Sequence, residues 1–483
     1  MSQIIKELHP EIIRKTAARC KRLGITIPTF RQLRQPELPA SFMERLQPVG
    51  LWDINPLNLY RISWKNDIRT GLFGGVNYLE IPPALSGVKA RIIGLVGQYF
   101  PTGAHKVGAA FGCLVPRLVS GEFDPEVHKA VWPSTGNYCR GGAFDCALLG
   151  CTAVAILPEE MSRERFDWLR EIGAEVIATP GCESNVKEIY DKCHELRRDP
   201  LNVILNQFDE FGNPIFHYAV TGPAFDEVLA DLNGALRPAA FISATGSAGT
   251  IATGDYLKKQ HPGLKVVASE ALQCPTLLVN GFGGHRIEGI GDKHVPWVHN
   301  VRNTDAVAAI DDEDCMRLFR LFNEPAGQEY LAETGLDPNL IQSLPLLGIS
   351  SIANLLAAIK SAKYWELGGD EVILTIFTDS AEMYRSRLTE LAAACGAYRR
   401  DDALRDHAGP LAHQSVDYFR ELTYTDRKAI HNLKYYTWVE QQGKSSEELN
   451  AQWDPEYWRA LFEDEVDYFD ELIVEFNGEI ANS

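Results

Sequence analysis

The chain has 483 residues, enough for two or three domains of roughly 100 to 200 residues each and for a cleft between them. With 45% hydrophobic and 23% charged residues it reads as an ordinary soluble globular protein, and its formal net charge of -18 argues against nucleic acid or an anionic membrane as partner, since both require a basic face. No apolar run approaches the length of a membrane span, and the first residues lack the apolar core and cleavage site of a signal peptide. The ten cysteines are scattered, with neither CxxC pairs nor Cys/His clusters at zinc-like spacing, so reduced thiols, a cytoplasmic location and no metal site are expected.

Residues 1–48 read as a helical leader ending in a Pro-punctuated connector, with Ile12 and Ile13 set among charges. INPLNLYRI follows, with Asn55 to Leu57 expected as the start of an extended segment, and then a buried strand at 90–96. Strands are then expected at 130–132, 151–158, 174–179, 202–208, 239–245, 265–270 and 371–377. Helical patterns lie between them, over 142–149, from 162, over 186–197 and over 224–232. Short apolar runs alternating with helices point to the α/β class: two open, largely parallel twisted sheets flanked by helices, with helical extensions at both ends. The catalytic core is placed at 49–390, its smaller subdomain at about 100–220, an insertion at about 323–345, and an acidic aromatic helical extension at 391–483. Ser162 is read as the cap of its helix, with no chemistry assigned to that stretch.

Four stretches carry chemistry. In PTGAHKVGAA, Lys106 follows a Pro-Thr-Gly turn at the start of an Ala/Gly-rich helix. A lysine there loses hydration, which frees its amine for Schiff-base formation with a carbonyl such as that of pyridoxal phosphate. In WPSTGNYCRGG, Ser134, Thr135, Gly136 and Asn137 lie between a strand and a helix, where hydroxyls, an amide and helix-start N–H groups suit a carboxylate or a ring oxygen. Cys139 beside them reads as a small buried hydrophobe. In ATGSAGTIATG, Gly246, Ser247, Ala248, Gly249 and Thr250 form a turn before a helix that suits a phosphate. It matches neither GxxxxGK[ST] nor GxGxxG, which disfavours ATP and leaves a dinucleotide as the weaker alternative. In FTDSAEMY, Ser380, beside Asp379 at a strand's end, can hydrogen-bond a heteroaromatic nitrogen.

These stretches, in this order, resemble the fold-type II pyridoxal-phosphate enzymes: cysteine synthase, cystathionine β-synthase, the tryptophan synthase β subunit and threonine dehydratase. NPLNLYRI, ILNQFDEFGNPIFHYAVTGP, FISATGSAGTIATGDYLKK, GGHRIEGIG and LLGISSIANLLAAIK extend the likeness over roughly residues 50–390. The resemblance implies that Lys106 forms the internal aldimine and removes the α-proton. It implies that Ser134, Thr135 and Asn137, helped by Gln207, bind the substrate carboxylate and the ring hydroxyl, that Gly246 to Thr250 hold the phosphate, and that Ser380 meets the pyridine nitrogen. The GAHK context is like the tryptophan synthase β subunit and adds His105 as a phosphate contact, while Tyr138 and Cys139 stand where cysteine synthases carry small residues.

The chemistry so implied is β-elimination or β-replacement on a serine- or cysteine-type amino acid through an aminoacrylate, with the sequence leaving the two fates open. A threonine, serine or diaminopropionate dehydratase or ammonia-lyase is the alternative within the class, and an inactive regulatory or scaffolding homologue the alternative outside it. A homodimer is the expected assembly. Whether Ser380 or Asp379 faces the pyridine nitrogen also stays open.

Overall fold

The computed structural model describes residues 4–134, 136–181, 185–232, 236–291 and 293–483. Its larger sheet has seven strands, in spatial order Phe419–Glu421, Ala306–Ile310, Lys265–Ala271, Arg237–Ala244, Glu371–Phe377, Arg91–Val96 and Tyr78–Ile81. The five inner strands are parallel and the two edge strands antiparallel. A second sheet of four parallel strands runs Glu175–Thr179, Thr152–Pro158, Lys129–Pro133, Asn202–Ile204. The fold is therefore α/β with two parallel-rich sheets, as the alternation of apolar runs implied. Strands such as Glu371–Phe377 are buried along their whole length because helices cover both faces.

Parallel pairing sets the position of the site. Arg91–Val96, Arg237–Ala244 and Glu371–Phe377 are neighbours in the larger sheet, so the loops after them, carrying Lys106, Gly246–Thr250 and Ser380, leave the same edge. Lys129–Pro133 and Asn202–Ile204 pair in the smaller sheet and send Ser134, Gly136, Asn137 and Gln207 from its carboxyl edge. Ligands of open α/β sheets bind at such edges.

Helix Lys106–Ser120 is the hub between the sheets. Small residues let its neighbours come close: a Cβ on Gly141 of helix Asn137–Leu149 would lie 2.7 Å from Val107 Cα, and one on Gly112 would lie 2.2 Å from the Gly212 carbonyl.

Several elements depart from expectation. Pro56–Arg61 is a 3-10 helix capped by the Asn55 side chain, not an extended segment. The strand at 202–208 stops at Ile204, because Asn206 turns the chain: its carbonyl accepts from the Asp209 N–H and its side chain from the Phe208 N–H. Helix formation then starts at Gly212 and continues through a π-turn to Asp231. Ser162 precedes its helix, but its hydroxyl caps nothing among the described residues.

The leader and the tail close on each other. The terminal helix Glu465–Asn482 packs along Pro10–Leu23 and against the helix behind Lys106. Asn477 exchanges two hydrogen bonds with the Ile27 backbone, and Asp470 accepts the Phe30 and Arg31 N–H groups. Nearer the core, Trp438 is fully buried and donates to the Val295 carbonyl at 2.8 Å. Among the described residues no single helix is long and apolar enough to cross a membrane.

Candidate active site

Lys106 is half-buried at the cleft, and its Nζ donates to Ser247 Oγ at 3.1 Å, joining the lysine turn to the glycine-rich turn. Burial lowers its pKa from 10.5 to about 8. Ser247 Oγ also accepts from Asn213 Nδ2 at 3.0 Å, and the same amide donates to the Gln207 carbonyl. Two backbone strains frame this group: Thr102 and Ala248 hold φ of 68° and 60°, a region disfavoured for residues with a Cβ. A Cβ on Gly249 would fall 2.0 Å from Asn213 Oδ1. Thr250 precedes helix Ile251–Gln260, its Oγ1 2.5 Å from Ser243 Oγ, and the first N–H groups of that helix fold back onto the turn, Ile251 donating to the Ala248 carbonyl and Ala252 to that of Gly249. Gly246 rests against the Gly289 carbonyl.

Across the cleft, Ser134 Oγ accepts from the Gly136 N–H at 3.1 Å and from Gln207 Nε2 at 3.3 Å, so the expected carboxylate turn and its expected helper do meet. Thr135 lies outside the described residues. Gly136 has φ of 147° and is packed on Arg165, whose Cδ would sit 2.6 Å from an added Cβ. Asn137 opens helix Asn137–Leu149 and donates from Nδ2 to Asp379 Oδ2 at 2.6 Å. Tyr384 donates to the same Asp379 oxygen, also at 2.6 Å. Ser380 is buried, and its hydroxyl bonds no other described residue.

His105 is not drawn to the glycine-rich turn by any hydrogen bond among the described residues. Its Nε2 lies 3.3 Å from Thr378 Oγ1, and its ring packs against Trp64 and His217. Burial, reinforced by Lys106, holds its pKa well below the usual value, so the ring is neutral. Cys139 donates to the Gly136 carbonyl, and burial pushes its thiol up to about 12, which makes it inert. Tyr138 donates to the Leu205 carbonyl.

No chemistry was expected of Arg165, Glu288 or Tyr384. Arg165 is fully buried, with Nη1 2.6 Å from Glu288 Oε2 and Nη2 3.0 Å from the Tyr384 hydroxyl. No local pattern marks this pair, whose members lie 123 residues apart. Asn213 was also missed, although it sits inside a segment quoted for its family likeness.

These groups fit pyridoxal phosphate. A nucleophilic amine faces a turn whose backbone N–H groups and missing Cβ atoms suit a phosphate, and the buried oxygens Asn137 Oδ1 and Asp379 Oδ1 lack partners among the described residues.

Comparison with known proteins gives the same answer. Residues 97–336 match the family model described as pyridoxal-phosphate dependent enzyme. A cysteine synthase of Staphylococcus aureus is 30% identical over 318 residues, which are 66% of this chain and 94% of that protein. A probable cysteine synthase of Bacillus subtilis is 31% identical over 288 residues, 59% of this chain and 85% of its own length. Among solved structures, a hydrogen sulfide-producing enzyme of Fusobacterium nucleatum superposes with a TM-score of 0.55 at 26% identity, over 64% of this chain and 97% of that one. An O-acetylserine dependent cystathionine beta-synthase of Helicobacter pylori gives 0.54 at 25%, over 65% and 95%. With the cofactor-fitting cleft, these matches establish that the chain belongs to the family of pyridoxal-phosphate-dependent enzymes that includes the cysteine synthases.

Proposed function

We propose that the chain catalyses β-elimination or β-replacement on a small β-substituted amino acid of the serine or cysteine type, passing through the 2-aminoacrylate skeleton, with its cofactor held on Lys106. The Lys106 amine carries the reading. With a pKa of about 8, ~9% of it is free base at pH 7, against roughly 0.03% for an ordinary lysine, a gain of about 300-fold in available nucleophile.

Pyridoxal phosphate, when bound, supplies an electron sink that weakens the bonds at the substrate α-carbon. Gly246 to Thr250 would hold its phosphate, and Asn137 its ring hydroxyl. Asp379 Oδ2 is already committed to Asn137 and Tyr384, which supports Ser380 as the group opposite the ring nitrogen. A neutral hydroxyl there would accept or donate a single hydrogen bond without placing a negative charge beside the ring, which suits loss of a β-substituent. The Ser134 hydroxyl, held by the Gly136 N–H, and the Gln207 amide would bind the α-carboxylate. Lys106 would serve as the base for the α-proton, and a pKa near 8 suits that task at neutral pH. Admission of a thiol to the closed site gives replacement and admission of water gives elimination. The reading includes a homodimer in the cytoplasm, supported by the family likeness and by cysteines that are free and mostly buried.

The test is the visible spectrum of the purified protein before and after borohydride, alongside Lys106→Ala, followed by O-acetylserine, cysteine, serine and threonine with and without sulfide. A yellow protein labelled at Lys106 that forms pyruvate from cysteine, or cysteine from O-acetylserine and sulfide, is the expected result. Absence of product from all four amino acids refutes the substrate class.

A further inference from the structure

The two sheets are tied together directly beneath the carboxylate turn. Helix Arg163–Glu171 follows strand Thr152–Pro158 of the smaller sheet, and from its first turn Arg165 reaches across to the larger. There Glu288 Oε2 accepts from Arg165 Nη1 at 2.6 Å, and both side chains are almost wholly buried, at 0% and 4% exposure. Glu288 is itself held: its other oxygen accepts from Arg387 Nε at 2.6 Å. A neighbouring contact repeats the bridge, with Glu164 accepting from the backbone and the hydroxyl of Ser386.

From Arg165 two routes lead to groups assigned above to substrate and cofactor. One is steric. The Arg165 side chain fills the space on which Gly136 lies, leaving no room there for a Cβ, so a shift of the guanidinium shifts the turn. The other is a chain of hydrogen bonds. Arg165 Nη2 donates to the Tyr384 hydroxyl at 3.0 Å, Tyr384 donates to Asp379 Oδ2 at 2.6 Å, and that oxygen accepts from Asn137 Nδ2 at 2.6 Å. This last bond fixes which way the Asn137 amide points, and leaves its Oδ1 buried and without a partner among the described residues.

A buried ion pair is a poor way to obtain stability, because desolvation of both charges offsets their attraction and apolar residues of like volume serve as well. Its use here therefore calls for an explanation in orientation. We infer that Arg165, locked by Glu288, is a positioning residue that sets the Gly136 turn for the substrate α-carboxylate and, through Tyr384 and Asp379, sets the Asn137 amide for the cofactor ring. This deepens the proposed function and rests on it.

The experiment uses the holoenzyme of the wild type and of Arg165→Met, Arg165→Lys, Glu288→Gln and Tyr384→Phe. Each is read by its thermal midpoint, the visible absorbance maximum of the bound cofactor, the Kd for L-serine from spectral titration, and the separate KM and kcat for O-acetylserine with sulfide. Arg165→Met and Glu288→Gln, which release both routes, are expected to shift the absorbance maximum and to weaken L-serine binding and kcat/KM by ~100-fold, as misplacement of about 1 Å does. Arg165→Lys, which keeps the charge but not the fork, is expected to recover part of that loss. Tyr384→Phe cuts only the hydrogen-bonded route, so the absorbance shift should appear with a smaller rise in the L-serine Kd. If Arg165→Met or Glu288→Gln fails to fold, Arg165→Lys and Tyr384→Phe decide. Variants with a lowered thermal midpoint but a wild-type spectrum, L-serine Kd and kcat/KM would overturn the inference and leave the pair a structural tie. A wild type that binds no pyridoxal phosphate would instead refute the functional reading beneath it.

Discussion

The displaced pKa of Lys106 predicts how the apoprotein captures its cofactor as pH is varied. Only the free amine attacks the aldehyde, so the capture rate should rise about tenfold per pH unit up to the lysine pKa and then level off. With that pKa at about 8, the rate at pH 7 should be roughly a tenth of the plateau, and the plateau should be reached by about pH 9. A lysine at 10.5 would still be climbing at pH 10. Stopped-flow absorbance of the apoprotein mixed with pyridoxal phosphate gives the rates, and Lys106→Met gives the blank.

The same displacement affects stability. For a base with a depressed folded pKa, the cost of burying its charge is present at pH below about 8 and is relieved as pH rises from 8 to 10.5. The full shift corresponds to ~3 kcal/mol, and the water that reaches a half-buried amine reduces this to about 1–2 kcal/mol. Apo Lys106→Met should therefore be the more stable protein at pH 7. With unfolding entropy of ~2.1 cal/mol/K per residue, the gain in Tm is only about 1–2 °C for a chain of this size. A capture rate that keeps rising to pH 10, with a Tm lowered by the substitution, would refute the reasoning.

Three further outcomes are expected. Gly249→Ala drives a methyl into Asn213, which holds both Ser247 and the Gln207 carbonyl, so the Kd for pyridoxal phosphate should rise at least ~10-fold in a fluorescence titration while the fold is retained. Asp255, whose carboxyl burial raises to about 7, costs the folded state progressively as pH climbs from about 4 to 7. Asp255→Asn should thus stabilise at pH 8 by ~2 kcal/mol, after allowing for an unmet amide N–H, and hardly at all at pH 4, as read from denaturant midpoints. Trp438→Ala should cost ~3–5 kcal/mol and expose the segment after residue 434 to limited proteolysis, because the indole is fully buried and anchors that segment to Val295.

What the sequence discloses here is what short-range physics writes into it. A lysine after a Pro-Thr-Gly turn, a glycine-rich turn between a strand and a helix, and apolar runs such as 371–377 each signal their role within about ten residues. The same rule explains the failures. Asn55 was taken to begin extended chain, but its side chain caps a 3-10 turn. Gln207 was placed inside a strand, whereas Asn206 bends the chain there and thereby brings Gln207 to Ser134. Arg165 lies in the stretch after Ser162 to which no chemistry was assigned, because nothing local announces that Glu288 and Tyr384 will enclose it. Asp379 likewise shows its commitment to Asn137 and Tyr384 only once the two sheets face each other.

The clasp between the chain's two ends bears on how the molecule is made. Ile27 finds its partner in Asn477, 450 residues later. At a synthesis rate of about 5–20 residues per second, the leader waits roughly 22–90 seconds before the helix that completes it exists. During that interval the faces carrying Ala17, Cys20, Ile25 and Phe30, buried in the finished protein, have no terminal helix to rest on. The sheets between them can form in the meantime, so the growing chain is a built cleft with an open back until helix Glu465–Asn482 covers it.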